Sequence, residues 1–115
     1  MKGIIYKITN DINDKIYIGK TEEKLNERWS KHIYDAALTN SKNRPLYNAI
    51  NKYGIQHFFI TEIESCNIEE LSEREKYWIT YYNSYYNGYN ATLGGEGISK
   101  YNKEAILKLW QEGKT

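Results

Sequence analysis

The sequence predicts an α+β fold: a small three-stranded antiparallel sheet flanked by helices in the order ββααβα, with a further short helix at the C-terminus. Three observations lead there. Two β-rich runs near the N-terminus are separated by a short Asn/Asp segment, later segments carry apolar residues at helical spacing, and a third β-rich run lies between helices. At 115 residues the chain is of single-domain size, since cores divide only above about 250 residues.

Gly3 to Thr9 alternates so that Ile4, Tyr6 and Ile8 share one face, and Lys15 to Gly19 is the second run. Asn10 to Asp14 supplies turn chemistry between them, so the pair reads as a hairpin. Thr21 is placed to cap a helix, with Glu22 and Glu23 in a first turn where negative charge suits the helix dipole. Leu25, Trp29, Ile33 and Ala36 continue that helix as an apolar stripe to about Leu38. Asn40 to Pro45 is a polar loop; Pro45 suits the first turn of a second helix through Leu46, Ala49 and Ile50, which Gly54 ends.

His57 to Ile63 is the third strand by its rings and β-branched residues. Asn67 with Glu70 three residues on forms a capping pattern for a helix to about Tyr82. After Gly94-Gly95-Glu96-Gly97 the composition changes, and Asn102 to Gln111 repeats Ala105/Ile106 and Leu109/Trp110 as a short amphipathic helix. The chain thus divides into a domain over 1–97 and a linker with helix over 98–115. That helix reads either as the start of a helix-turn-helix DNA-binding module in a longer protein or as a terminal helix docked on the one core.

With 40% apolar and 27% charged residues and a mean hydropathy of −0.80, the chain is polar, yet aromatic enough to fold. Its longest apolar runs, such as Phe58-Phe59-Ile60, fall far short of the roughly 20 residues of a membrane span, and no basic-then-apolar leader opens it. A soluble, unsecreted protein with no membrane partner is expected. The single Cys66 permits no internal disulfide and no Cys-based zinc site, and His32 and His57 have no ligand-spaced partners. Cys66 reads as a packed thiol in a reducing compartment. Twelve Tyr against two Phe give most rings a hydroxyl, which reflects either AT-rich coding or a use for the polar handle.

Net charge is +1, which alone gives no reason to expect a polyanion. Its distribution says more: residues 1–54 carry +4, 55–97 carry −5 and 98–115 carry +2. A basic half backed by an acidic segment fits a phosphate-facing surface.

Two polar features lie on apolar faces. On the helix after Asn67, Leu71, Trp78 and Tyr82 form a stripe whose spacing Glu75 completes. A carboxylate facing a core must be paired, protonated or bound to a cation. Arg74 is a poor partner for it, because helix neighbours point in different directions. On the first helix, Arg28 and His32 lie one turn apart at the edge of the Trp29/Ile33 stripe, with Lys20 upstream and Lys31 nearby. They read either as a solvated face or as a phosphate receptor in which Arg supplies a planar fork.

The paired runs Gly3-Ile4-Ile5-Tyr6 and Tyr17-Ile18-Gly19 are followed by Glu27-Arg28-Trp29-Ser30-Lys31-His32, Asn51-Lys52-Tyr53-Gly54, Phe58 to Glu62, Glu73 to Ile79, and Asn87-Gly88-Tyr89-Asn90. In this order they resemble the GIY-YIG nuclease family, most of all the phage and intron homing endonucleases, with one extra Ile in the first motif. The resemblance covers residues 3 to about 95 and implies a metal-dependent DNA endonuclease that hydrolyses phosphodiester bonds, in the cytoplasm of a bacterial or phage-infected cell. It implies Tyr6, Tyr17, Arg28, His32, Glu75 and Asn90 as the catalytic set. Glu75 would be the ligand of Mg²⁺, with Mn²⁺ as the alternative.

The resemblance favours Tyr6 as general base and Tyr17 as the group orienting water or phosphate; the residues themselves leave Tyr6 and His32 open. A phenol must be drawn down from a pKa of about 10, for which Arg28 and Lys20 are the available cations, whereas a histidine titrates near neutrality unaided. Arg28 and the metal would stabilise charge developing at phosphorus. Some homing members place a histidine where this chain reads Asn40-Ser41-Lys42-Asn43, so its role does not transfer. Lys7, Lys15, Lys20, Lys31 and Lys42 are the expected phosphate contacts, with salt-sensitive binding and little base choice, because residues 1–97 show no long recognition helix. The rival readings are a non-catalytic DNA-binding module that keeps the fold, and a Tyr-rich protein- or sugar-binding module, which needs exposed rings. Target sequence and oligomeric state are left open.

Overall fold

The computed structural model describes residues 2–38 and 44–94. Strand β1 (Lys2–Asn10) runs between β2 (Tyr17–Thr21) and β3 (Phe58–Asn67), antiparallel to both, giving the sheet order β2-β1-β3. Helices α1 (Leu25–Ala37) and α2 (Pro45–Tyr53) precede β3, and α3 (Leu71–Tyr82) follows it. The order ββααβα and the α+β class are therefore as the sequence predicts. The terminal helix, the 97/98 boundary and the Asn40–Asn43 segment lie outside the described residues.

β1 is buried on both faces, as the middle strand of a covered sheet must be. Tyr6 and Ile8 pack with Ala36, Leu46, Tyr47 and Ile50 on the side of α1 and α2. Ile5 packs with Ile18, Cys66, Leu71 and Ile79 on the side of α3. The alternation of Ile4, Tyr6 and Ile8 thus describes one of two apolar faces. Both motif glycines mark a close approach: a Cβ on Gly3 would meet the Leu71 side chain, and one on Gly19, directly opposite Tyr6, would strike the Tyr6 ring. Burial pushes the Cys66 thiol above its ordinary pKa, in keeping with a packed cysteine.

Several boundaries differ from expectation for local reasons. Thr21 does not cap α1; it ends β2, and its Oγ1 accepts the Glu23 N–H at 3.0 Å in a turn. The helix starts at Leu25 behind Lys24, with Glu27 as the acidic residue of its first turn. Asn67 makes no capping side-chain bond, because a single 3₁₀ turn, Ile68–Glu70, intervenes before α3. His57 likewise sits in a 3₁₀ turn rather than in β3 and pairs with Asp11 at 2.7 Å. β3 runs on to Asn67, past the expected Ile63, since its extra length pairs with β1 from Lys2 onward. Pro45 opens α2, and Gly54, at φ 100°, closes it by donating its N–H to Ile50 O at 2.8 Å.

Helix α3 is locked to the sheet through Glu64, whose Oε1 accepts both Arg74 Nε–H and Trp78 Nε1–H at 2.8 Å. The Trp78 indole and the Arg74 guanidinium hold the Glu64 carboxyl below the usual carboxylate range. Arg74 is thereby turned toward Glu64 and away from Glu75. Ile79 anchors the buried stripe of α3, while Trp78 and Tyr82 are half-buried. Among the described residues no helix is long and apolar enough to cross a membrane.

Candidate active site

Tyr6 and Tyr17 meet on one sheet face because of register. Tyr6 opposes Gly19, two positions along β2 from Tyr17, so the two phenols are diagonal neighbours with ring centroids 6.4 Å apart. Helix α1 lays His32 onto them, with centroids 5.8 and 5.5 Å from Tyr6 and Tyr17. Sequence spacing placed His32 at the edge of the stripe, but the structure puts it at the centre, fully buried, while Ile33 is 39% exposed. A histidine can take that core position because both ring nitrogens are satisfied: Nε2 lies 2.6 Å from Tyr6 Oη and Nδ1 lies 2.9 Å from Tyr47 Oη. Arg28, one turn earlier, donates Nε–H to Tyr6 Oη at 3.1 Å.

These contacts set the protonation states. Burial pushes the Tyr6 phenol well above its ordinary range, the Tyr17 phenol adds to this, and the Arg28 guanidinium pulls the other way without reversing it. Burial and then the Glu75 charge push Tyr17 up to about 12. Burial, helped by Arg28 and Arg44, lowers His32 to about 3. The expectation that cations draw Tyr6 down is thus overturned: desolvation outweighs Arg28. Lys20 lies on the α3 side of the sheet, where it donates to Ser72 Oγ at 2.8 Å. At neutral pH the pair is a phenol and a neutral imidazole. With Arg28 donating to Tyr6 Oη, the phenol proton has a place on the Nε2 lone pair of His32, and Nδ1–H then faces Tyr47.

Glu75 reaches the same region from α3. Its side chain is 12% exposed, lies 4.0 Å from Lys20 Nζ, and lines a cleft of about 300 Å³ with Tyr17, Arg44, Tyr47, Asn90 and Thr92. Its negative charge raises both Tyr17 and Tyr6. Glu75 is the one carboxylate lining this cleft, and no group of three His, Cys, Asp or Glu occurs among the described residues, so a metal here would have one protein carboxylate. That suits Mg²⁺ or Mn²⁺, hard ions that accept oxygen donors and, for Mg²⁺, keep several waters beside substrate phosphate; it does not suit zinc. A second cleft, of about 420 Å³, is lined by Lys20, Thr21, Arg28 and Ser72.

Asn90 ties β2 to the segment after α3. Its Oδ1 accepts Ile18 N–H at 2.8 Å and Ser84 O–H at 2.6 Å, and its Nδ2 donates to Ile18 O at 2.8 Å. The amide takes the place of a neighbouring strand at the edge of β2, next to Tyr17. The expected lysine contacts do not gather on one face. Lys7 leans on Tyr82, Lys15 lies over the Tyr89 ring, and Lys31 pairs with Glu23 at 2.6 Å, leaving Lys20 at the second cleft. Lys42 lies outside the described residues.

Two contributors were not singled out from sequence. Tyr47 is visible only through its contact with His32, which no spacing announces. Arg44 had a faint signal, a cation just before a helix, where the dipole disfavours it. Of the described tyrosines, Tyr6, Tyr47 and Tyr89 are buried while Tyr34, Tyr77, Tyr81 and Tyr86 are exposed, so the abundance of Tyr is not that of an exposed binding surface alone.

Two hairpin phenols facing an arginine and a histidine of the next helix, with a glutamate arriving from the last, define a small α+β domain built around a buried polar centre beside a cleft. The chain belongs to the GIY-YIG family: the model of the GIY-YIG catalytic domain matches residues 2–90. It is 34% identical over 117 residues to Intron-associated endonuclease 1 of Enterobacteria phage T4, covering 97% of this chain and 47% of that protein. It is also 34% identical over 88 residues to Uncharacterized protein 019R of Invertebrate iridescent virus 6, covering 71% of this chain and 30% of that one. The chain therefore spans less than half of these relatives. Among solved structures it is similar to the catalytic domain of homing endonuclease I-TevI, with a TM-score of 0.68 and 31% identity over 78% of this chain and 98% of that one. An E75A mutant of the same catalytic domain matches with a TM-score of 0.67 and 30% identity, over 80% and 95% of the two chains.

Proposed function

We propose that this domain is the catalytic part of a phage-type homing endonuclease, which hydrolyses DNA phosphodiester bonds with a divalent cation. The observation that carries the reading is the single phenol oxygen of Tyr6, which receives Arg28 Nε–H while lying 2.6 Å from His32 Nε2, beside the cleft that holds Tyr17 and Glu75. Glu75 would hold Mg²⁺ or Mn²⁺ together with water and phosphate oxygens. When bound, the ion would neutralise phosphate charge and stabilise the leaving oxygen.

The protein's own groups handle the proton and the phosphate. Tyr6 is too basic as a phenolate to ionise beforehand, so it acts in series with His32: it accepts a proton from the attacking water as its own passes to His32 Nε2. This assigns both candidates for the base a role. Arg28, holding Tyr6 Oη, presents its remaining N–H groups to the phosphate, and the anion offsets a charge that otherwise lowers His32. Tyr17 O–H orients water or phosphate from the next strand. A module that had lost catalysis would be expected to lack a member of this set, whereas Tyr6, Tyr17, Arg28, His32 and Glu75 are all present.

The test is incubation of the purified chain with supercoiled plasmid, with Mg²⁺ and with chelator. Nicking or linearisation should require the metal. Glu75→Ala should abolish cutting while leaving the fold and most DNA affinity intact, and undiminished cutting by that variant would refute the metal assignment.

A further inference from the structure

Arg44 stands out among the cations of the described residues. It immediately precedes α2, where the positive end of the helix disfavours a cation, and it is exposed, so packing does not require it. No ion pair joins it to another described residue. Its guanidinium lies over the Tyr47 ring, 4.9 Å from the centroid, which restricts its direction. It lines the cleft of Tyr17, Glu75 and Asn90. The charge of Arg44 is felt at Tyr17, Tyr47 and His32, three groups that also feel Arg28. The buried phenol and imidazole cluster is therefore within electrostatic reach of two guanidinium groups, one on α1 and one just before α2, and these line different clefts.

We propose that Arg44 is a second DNA-phosphate contact, gripping the backbone of the strand in the Glu75 cleft while Arg28 holds it from the other side of the tyrosine pair. The inference rests on the endonuclease reading and adds to it a residue and a function for α2. It supplies an anion to a helix start and to a guanidinium that has no ion-pair partner among the described residues. Arg suits the task because its planar fork can stack on Tyr47 with one face and donate from its edge to phosphate oxygens.

The experiment measures binding of the full chain to a duplex oligonucleotide in chelator across a series of salt concentrations, and plasmid cleavage in Mg²⁺, for wild type, Arg44→Gln and Arg44→Lys. Glutamine keeps a planar amide and loses the charge; lysine keeps the charge and loses the plane. A phosphate contact predicts that Arg44→Gln makes the slope of log K against log salt shallower by about 0.9, while Arg44→Lys keeps the wild-type slope. Cleavage at limiting DNA should fall about ten- to a hundredfold in Arg44→Gln, mostly through KM. A slope unchanged in Arg44→Gln, or lost equally in Arg44→Lys, overturns the proposal and leaves Arg44 as a prop for Tyr47. A wild-type chain that neither cuts plasmid nor binds DNA overturns the endonuclease reading itself, a result distinct from either of those.

Discussion

Replacing His32 by glutamine is expected to flatten the acid side of the stability profile. In the fold His32 is fully buried between two phenols, with a pKa near 3 against 6.5 for a free ring. Below pH 6.5 the unfolded chain binds a proton that the native chain refuses. Stability is therefore full above that value and falls as pH drops, until the native ring itself titrates near 3. Relative to neutral pH, the loss is about 1.4 kcal/mol at pH 5.5 and about 2.7 kcal/mol at pH 4.5. These figures follow from the unfolded value and hold for any native pKa below about 4. Urea unfolding of wild type and His32→Gln between pH 7.5 and 4.5 isolates the effect, because carboxylates such as Glu64 contribute equally to both. The stability difference between the two proteins should shift against wild type by about 2.7 kcal/mol across that range. The imidazole resonances of native wild type should stay in their neutral positions down to pH 4.5. Parallel stability profiles, or an imidazole that titrates near 6.5 in the folded protein, would refute the reasoning.

Two further substitutions probe the same network, beside those of Glu75 and Arg44. Tyr6→Phe deletes the oxygen between Arg28 and His32 and leaves Nε2 buried without its partner; it should cost about 1–3 kcal/mol in urea unfolding and lower single-turnover cleavage by about 10²-fold or more. Asn90→Ala removes three hydrogen bonds at the edge of β2 and should cost about 2–4 kcal/mol, with reduced cleavage in which the metal requirement is unchanged, because the residue positions Tyr17 without binding metal. Loss of cleavage with full stability in Asn90→Ala would assign that amide a direct role in place of a positioning one.

Much of this was legible in the residues. The hairpin, the two helices before the third strand and the helix after it follow from periods of two and 3.6 and from Pro45 and Gly54 as helix start and stop signals. Glu75 was conspicuous because a carboxylate continued an apolar stripe, and the structure duly gives Arg74 another partner, Glu64. His32 does lie against Tyr6 and Tyr17, but at the centre of the cluster and not at its rim: periodicity favours the aliphatic Ile33 as the buried residue, and only two phenols brought from β1 and α2 make a histidine the better core residue. The Thr21 and Asn67 caps failed because a turn and a 3₁₀ segment took up the residues that local chemistry assigned to helix starts.

Sequence alone determined the elements, their order and the family, since these rest on local periodicity and on motif residues that keep their spacing whatever surrounds them. Tertiary structure decided the ionisation states and the company each group keeps. Whether a phenol rises or falls depends on how far desolvation exceeds the nearest guanidinium, and that balance exists only once β1, β2 and α1 have closed around Tyr6. It also decided that Arg44 and Tyr47, unremarkable in the chain, stand beside Glu75, because only packing α2 against the sheet brings residues so distant in sequence into one cleft.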